Sequence, residues 1–216
     1  MSENLSHQIS WFDREMKRFK EKGTLIPDLQ TRLYTAISRE WTPGRIVVDI
    51  GCSLGVGSNI LSHTARSVWG IDVNEEAIRY ATQAFRRPNL DFAVLDVEHP
   101  PMRELSKFEV ITMSEVIEHL ADVETGLASV KNFFGKDAVG FITAPNQNNE
   151  MVRENEAKHG YHIQQWTAGQ FYELMTKHFR SVVLYSADKL NTWQQDETID
   201  GGSDAYLMVA KVEGVL

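Results

Sequence analysis

Two glutamates and a histidine near the middle of the chain are the side chains best suited to chemistry. Glu115, Glu118 and His119 stand at positions i, i+3 and i+4, a spacing that puts all three on one face of a helical turn. His162, further along the chain, could supply a second imidazole. Two carboxylates and two imidazoles would hold Mg²⁺ or Mn²⁺ with coordination positions open for hydroxyl oxygens. Without a metal, His119 is the first candidate for a base and His162 the second, with Glu118 beside them.

A glycine-rich turn follows the first apolar run of the chain. Residues 47–57 read Val-Val-Asp-Ile-Gly-Cys-Ser-Leu-Gly-Val-Gly, and small residues after a buried strand let a ligand approach the backbone closely. The helix predicted after the turn offers N–H groups to an anion. Cys52 fits as a small side chain of the turn, not as a nucleophile. The turn residues predicted to contact a ligand are Asp49, Gly51, Cys52, Ser53 and Gly55.

Acidic residues close the next two predicted strands. Asp72 lies 21 residues beyond Gly51, where a carboxylate can accept hydrogen bonds from both hydroxyls of a ribose. Asp96 closes the third strand. Because parallel strands end at the same edge of a sheet, a glycine turn and two acids meet where an open α/β sheet binds a nucleoside. The contacts predicted from the later strand ends are Asp72, Val73, Asp96, Val97 and Ser114.

With these motifs the sequence resembles the class I S-adenosylmethionine-dependent methyltransferases over residues 44–212. The segments that carry the resemblance are Asp49-x-Gly51-x-Ser53-x-Gly55 as the first motif, Asp72 as the ribose-binding acid and Asp96-Val97 as the adenine-binding pair. Ser53 stands where the family usually has a glycine, and serine is small enough for close approach to survive. The resemblance implies S-adenosylmethionine as the methyl donor and a seven-stranded sheet whose last strand is antiparallel.

A nicotinamide-binding enzyme is the main rival for this strand-turn-helix pattern. Gly55-x-Gly57-x-x-Ile60 lacks the third glycine of the dinucleotide fingerprint. Asp49 precedes the turn at a place where that fingerprint needs no acid. Both features favour the methyltransferase interpretation.

The methyl acceptor is best judged from residues 114–120, which follow the fourth strand and read Ser-Glu-Val-Ile-Glu-His-Leu. Methyltransferases that act on nucleic-acid amines carry Asn/Asp-Pro-Pro-aromatic here, and cytosine-C5 methyltransferases carry a nucleophilic cysteine. Neither is present, because Cys52 lies in the glycine turn. The segment is similar to the Glu-x-x-Glu-His of ubiquinone-pathway O-methyltransferases and of small-RNA 3′-terminal 2′-O-methyltransferases, which are metal-dependent. Other methyltransferases carry Glu-His here without a metal.

Three functions stay open on these residues. The first is O-methylation of a small-molecule or saccharide hydroxyl. The second is metal-dependent 2′-O-methylation of an RNA 3′ end, which a net charge of −8 and the absence of a basic stripe disfavour. The third is a catalytically silent module that binds S-adenosylmethionine, which the intact face of two glutamates and a histidine disfavours.

Apolar periodicity predicts the elements that must position these residues. Helical spacing at 9–22 and 29–41 predicts two N-terminal helices. Five short β-branched or apolar runs then predict buried strands at 46–50, 67–72, 90–95, 108–113 and 139–143. Helical stretches between or after them lie near 56–65, 74–85, 122–134 and 167–178. This β-α alternation predicts a doubly wound, Rossmann-like α/β sheet, with two antiparallel strands at 180–186 and 205–212 at one edge.

Composition limits the remaining possibilities. The 216 residues are 42% hydrophobic and show no repeat or linker, which predicts one domain over 1–216, with N-terminal helices in 1–42 and a Rossmann-like core in 44–212. No apolar run approaches the roughly 20 residues that cross a bilayer. No secretion signal is evident, so we expect a cytoplasmic protein without membrane partners. The single cysteine excludes an internal disulfide. The polar stretch 187–204 predicts an acceptor-binding lid or a mobile insertion; the oligomeric state is not predicted.

Overall fold

The computed structural model describes residues 28–99, 107–160, 162–187 and 206–216. Six α-helices and seven β-strands lie in these ranges. In chain order they are α1 (Asp28–Glu40), β1 (Ile46–Ile50), α2 (Val56–Leu61), β2 (Ser67–Asp72), α3 (Glu75–Ala84), β3 (Leu90–Val94), β4 (Phe108–Met113), α4 (Val123–Lys131), β5 (Phe134–Pro145), α5 (Glu150–His159), α6 (Ala168–His178), β6 (Phe179–Ser186) and β7 (Leu207–Val215). Within the described ranges, no helix has both the length and the apolar character needed to cross a bilayer.

The seven strands form one sheet in the order β3-β2-β1-β4-β5-β7-β6. Strand β7 runs antiparallel to both of its neighbours, and the pairs among β1 to β5 are parallel. The register aligns the strand ends, because Ile50 pairs with Ile71 on one side and with Met113 on the other. The residues that follow these three positions therefore leave the sheet at the same level of its carboxyl edge. This is the doubly wound, Rossmann-like architecture that the sequence predicts.

Apolar side chains from the two faces of the sheet pack into two separate clusters. Adjacent residues of β1 go to opposite sides: Val47 packs in a cluster with α1 and Val48 in a cluster with α4 and α6. Both valines are fully buried. This matches a parallel strand that is covered by helices on both faces. The sheet is thereby held rigid beneath the residues at its carboxyl edge.

The predicted elements agree with the structure over most of the described chain. The helix expected at 29–41 is confirmed as α1, and the two terminal strands pair antiparallel as expected. Helix α5 was not predicted, since Val152 is its only buried residue and gives no apolar period. Strand β5 extends beyond the predicted 139–143 at both ends. The helix predicted at 9–22 and most of the stretch 187–204 lie outside the described residues.

Candidate active site

The turn after β1 has a backbone that bends back on itself with left-handed residues. Gly51, Ser53 and Gly55 have φ of 69°, 53° and 81°. The N–H groups of Gly51 and Cys52 both donate to the carbonyl of Ile71, at 2.8 and 3.0 Å. Each N–H from Gly51 to Gly55 has an acceptor inside the protein. A ligand could therefore use the shape of the turn and the space left by its two glycines. The N–H groups of the turn are already paired within the protein.

Glycine is required in this region because neighbouring side chains fill the space of a Cβ. A Cβ built on Gly51 would lie 2.1 Å from Cγ2 of Val116, in the loop after β4. A Cβ on Gly57 would lie 2.3 Å from the ring of Tyr34 on α1. The glycine turn is thus packed directly against the loop that carries the predicted catalytic residues.

Asp49 lies beneath the turn as a fully buried hydrogen-bond acceptor. Its carboxylate accepts from the hydroxyls of Tyr34 at 2.9 Å, Ser58 at 2.6 Å and Thr112 at 2.7 Å. Burial raises its pKa, and the three hydroxyl donors oppose that rise. These contacts tie α1, α2 and β4 to the end of β1. The interactions of Asp49 in this structure are with the protein, so its predicted contact with a ligand stays a prediction.

Asp72 closes β2 beside the turn and is hydrogen-bonded to the backbone on both sides. One carboxylate oxygen accepts from the N–H of Ser53 and the other from the N–H of Asn74, each at 2.8 Å. Burial raises its pKa. Each oxygen keeps a second lone pair, which leaves acceptors for ribose hydroxyls. The next residue, Val73, has 40% of its side chain exposed, and it gives this edge an apolar surface.

The other predicted cofactor residues occupy the same edge of the sheet. Asp96 accepts from the N–H of Glu98 at 2.8 Å and pairs with His99 at 3.0 Å. Val97 is buried in the core cluster of that face. Cys52 is buried, and burial raises the pKa of its thiol well above the ordinary value, as expected for a packing residue and not for a nucleophile. Ser114 is buried with its hydroxyl 3.3 Å from that of Thr143.

The loop after β4 differs from the helical turn that the sequence predicts. Glu115 has φ of 57°, in the left-handed region, and a single 3₁₀ turn begins only at Ile117 and ends at His119. The expectation that Glu115 shares one helical face with Glu118 and His119 is therefore wrong. The Glu115 N–H donates to the hydroxyl of Thr143 on β5 at 3.0 Å, and this contact with the neighbouring strand turns the backbone away from the helix.

Glu118 is the most unusual side chain of the site. It is 1% exposed, and neither of its carboxylate oxygens has a hydrogen-bond partner among the described residues. Burial, together with the charge of Glu115, raises its pKa well above the ordinary value. Burial also raises the pKa of Glu115 to about 7. A buried carboxylate without a partner is costly when it is ionised, and the raised pKa of Glu118 is the consequence.

His162 reaches this loop although it is 43 residues from His119 in the sequence. The N–H groups of Ile163 and Gln164 both donate to the carbonyl of Glu118 at 2.9 Å. The imidazole rings of His119 and His162 have centroids 5.1 Å apart. One ligand atom from each of Glu118, His119 and His162 lies within 4.8 Å of the others. Three of the four predicted metal ligands are thus brought together, and Glu115 lies outside that group.

The structure also shows residues in contact with the candidate site that the sequence analysis missed. Glu156 on α5 contacts His162 through both carboxylate oxygens, and Thr143 contacts the carboxylate and the N–H of Glu115. No periodicity marks Glu156, but Asn149 and Gly160 are an N-cap and a left-handed C-cap that bracket its helix. Thr143 follows directly from the register, because Met113 pairs with Ile142.

Together these residues form two adjoining parts of one carboxyl-edge site. The ends of β1, β2 and β3 supply a glycine turn and two acids, which suit a nucleoside. The end of β4 and the segment after α5 supply carboxylates and imidazoles, which suit proton removal or a divalent ion. A doubly wound sheet with an antiparallel β7 is the fold that the sequence resemblance to the methyltransferases implies.

Comparison with known proteins agrees with this class. Residues 48–138 match a family model described as a methyltransferase domain, and the doubly wound fold agrees with that match. A ubiquinone biosynthesis O-methyltransferase from Hahella chejuensis is 28% identical over 148 residues, which are 68% of this chain and 60% of that protein. The chain thus matches less than two thirds of the length of this curated relative.

Solved structures show the same fold. A TehB-like S-adenosylmethionine-dependent methyltransferase from Corynebacterium glutamicum has a TM-score of 0.67 at 19% identity, covering 96% of this chain and 99% of that one. The N-methyltransferase NodS from Bradyrhizobium japonicum, solved with S-adenosylhomocysteine, has a TM-score of 0.59 at 17% identity, covering 86% and 85% of the two chains. At these identities the likeness concerns the fold alone.

Proposed function

We propose that this protein transfers the methyl group of S-adenosylmethionine to a hydroxyl oxygen of a small molecule or saccharide. The observation that carries the proposal is the cluster of Glu118, His119 and His162 at the carboxyl edge of the sheet. A hydroxyl must lose a proton to become a good nucleophile, and imidazoles and carboxylates are the groups that accept one. The O-methyltransferase name of the Hahella chejuensis relative supports the same acceptor chemistry.

The residues divide the work between holding the donor and activating the acceptor. When bound, S-adenosylmethionine supplies an already activated methyl group. Asp72 would accept hydrogen bonds from its ribose, the Asp96 and Val97 region would contact adenine, and the glycine turn would leave room for the rest. His119 would hold the acceptor hydroxyl in line and take its proton, with His162 alongside. Positioning and proton removal are then the whole of the protein's contribution.

As an alternative route to the same activation, we propose that Glu118, His119 and His162 hold a divalent ion such as Mn²⁺ or Mg²⁺, with Glu115 adjacent, so that the ion and not His119 would activate the acceptor hydroxyl. The support is the buried Glu118 carboxylate without a hydrogen-bond partner among the described residues, since a cation beside it would stabilise the ionised form that burial disfavours. The mixed set of carboxylate and imidazole donors fits these ions. When bound, such an ion would lower the pKa of an acceptor hydroxyl.

The acceptor class is tested with purified protein, S-adenosylmethionine and probes of different chemistry. The probes are catechol, a methyl glycoside, a single-stranded RNA with a free 3′ end, and histamine as an amine. Release of S-adenosylhomocysteine is measured, and mass spectrometry with NMR locates the new methyl group. We expect a methyl group on the oxygen of catechol or the glycoside. Methylation of histamine alone, of RNA alone, or of no probe despite tight cofactor binding would overturn the proposal.

The metal is tested by calorimetry of Mn²⁺ binding to chelator-treated protein, which needs no acceptor. We expect one ion per chain for the wild type and a loss of binding in Glu118→Gln. Glu154→Gln is the matched control, because Glu154 lies on α5 in an exposed pair with Lys158 at 3.8 Å. Equal titration of wild type and Glu118→Gln, or no binding to either, would contradict the metal proposal and leave the O-methylation proposal standing.

A further inference from the structure

A close polar contact to the cluster of Glu118, His119 and His162 comes from a residue outside it. Glu156 on α5 uses its two carboxylate oxygens on one residue: Oε2 lies 2.8 Å from Nδ1 of His162, and Oε1 accepts from the backbone N–H of His162 at 3.2 Å. The side chains are 11% and 21% exposed. A contact that fixes both the ring and the backbone of one residue leaves the imidazole little freedom to rotate.

The backbone around this contact is also held at both ends. Gly160 ends α5 in the left-handed conformation, and its N–H donates to the carbonyl of Glu156 at 2.8 Å. Beyond His162, the next two N–H groups donate to the carbonyl of Glu118. His162 is therefore attached to α5 on one side and to the loop after β4 on the other. This double attachment brings α5 into the site although α5 carries no residue of the proposed cluster.

We infer that Glu156 is a positioning residue that holds the proton of the neutral His162 imidazole on Nδ1. A carboxylate only accepts hydrogen bonds, so the nitrogen that faces it must carry the proton. The lone pair then lies on Nε2, and this nitrogen would act as the base or the ligand. Paired carboxylates commonly set the tautomer of a working histidine in this way. The inference rests on the proposed function only for the task that Nε2 performs.

A purely structural role for Glu156, as a staple of the turn at the end of α5, makes a different prediction. A staple would affect thermal stability and would leave the ring protonation of His162 unchanged. The same helix provides a contrast in the Glu154–Lys158 pair, in which both side chains are at least 60% exposed and 3.8 Å apart. Such an exposed pair contributes little to stability, so Glu154→Gln is a matched control.

The tautomer is measured on the metal-free protein without substrate, by long-range ¹H–¹⁵N NMR at a pH where His162 is neutral. His162 is assigned from the spectrum of His162→Asn. We expect the wild type and Glu154→Gln to show a protonated Nδ1. Glu156→Ala should show a mixture of the two tautomers. Glu156→Gln, whose amide has one acceptor oxygen for two N–H groups, should lie between them and serves if the alanine variant is too unstable. A wild-type ring protonated on Nε2, or a spectrum that neither substitution changes, would overturn the inference.

Kinetics on an accepted probe separates this inference from the proposed function. We expect Glu156→Ala to lower kcat about 10–100-fold, the usual effect of losing the partner that orients a ligand or base, while the KM for S-adenosylmethionine is unchanged. An unchanged kcat despite a shifted tautomer would overturn the positioning role alone. A wild type that methylates no hydroxyl probe would contradict the proposed function, while the NMR result would still decide whether Glu156 sets the tautomer.

Discussion

The two parts of the carboxyl edge are built on opposite principles. Around the turn after β1, every backbone N–H from Gly51 to Gly55 donates a hydrogen bond within the protein. Asp49 and Asp72 each accept hydrogen bonds from at least two donors. Around the loop after β4, Glu118 is buried with no partner among the described residues. The first part is complete without a ligand, and the second is not. A preformed turn after β1 is suited to binding a cofactor in every turnover. The carboxylates and imidazoles near the loop after β4 are suited to proton removal or to binding a divalent ion.

Each part also contains one left-handed residue that is not a glycine. Ser53 lies in the turn after β1 and Glu115 in the loop after β4. Such a conformation costs roughly 1–2 kcal/mol for a residue with a Cβ. The left-handed backbone at Ser53 belongs to a turn whose N–H groups are all hydrogen-bonded. The left-handed backbone at Glu115 places a carboxylate beside Glu118. The parts touch at Gly51 and Val116, so their responses to substitution can be compared directly.

The largest expected effect is on turnover, from a substitution in the loop after β4, where we propose that the acceptor binds. His119→Ala should lower kcat by about 10²–10⁴-fold, the usual contribution of a general base. The affinity for S-adenosylmethionine should be unchanged, because we propose that the first three strand ends hold the cofactor. Turnover and calorimetry measure the two quantities. His63→Ala, at an exposed histidine that contacts Arg87, is the control. Full activity of His119→Ala on an accepted probe would assign the residue to packing.

The acceptor side should also dominate the pH dependence of stability in chelator-containing buffer. The folded state raises the pKa of Glu115 from 4.5 to about 7, so it keeps a proton that the unfolded chain releases. The free energy of unfolding should therefore fall between about pH 4.5 and 7, by something of the order of 3 kcal/mol. Glu118 shifts in the same direction. In urea unfolding at several pH values, the free energy of unfolding should fall more steeply with pH for the wild type than for the double variant Glu115→Gln and Glu118→Gln. Parallel curves for the two proteins would contradict this.

A smaller effect is expected on the cofactor side from Asp72→Ala. Losing a charged acceptor for ribose hydroxyls should cost about 1.5–3 kcal/mol, roughly a 10–150-fold weaker affinity for S-adenosylmethionine. Calorimetry measures the affinity, and the melting temperature shows how far the loss of the Ser53 and Asn74 contacts loosens the turn. Asp91→Ala, at an exposed position of β3, is the control. Unchanged affinity would remove Asp72 from the cofactor site.

The smallest effect is expected from Ser53→Gly. The change relieves about 1–2 kcal/mol of left-handed strain, adds about 0.5–1 kcal/mol of chain entropy to the unfolded state, and removes a hydroxyl that accepts from Leu54. The unfolding free energy should change by less than about 1 kcal/mol, with cofactor binding retained. Gly51→Ala should be far more destabilising, because its Cβ would lie 2.1 Å from Val116. Equal effects of the two substitutions would show that packing against the β4 loop does not shape the turn.

The helices and strands were predictable where local pattern and burial agree. Helix α1 has buried apolar residues at helical spacing, and β1 is a β-branched run that ends at a glycine. The glycine turn and Asp72 follow from the same strand-turn-helix unit. Helix α5 escaped because it lies on the surface and has one buried residue, so its signal is in its caps and not in its period. Because helix α5 was not predicted, the sequence analysis also did not identify Glu156, which lies on it.

The sequence by itself determined the positions of the first strands, the glycine turn and the acids that end the strands, because these depend on local periodicity and on where parallel strands stop. Only the tertiary structure decided the acceptor side. It gave Glu115 a left-handed backbone through a contact with Thr143 on the neighbouring strand. It brought His162 to His119 through hydrogen bonds across 43 residues of chain. Spacing along the chain encodes neighbours within one element, whereas contacts between elements depend on the burial and hydrogen bonding of the folded molecule.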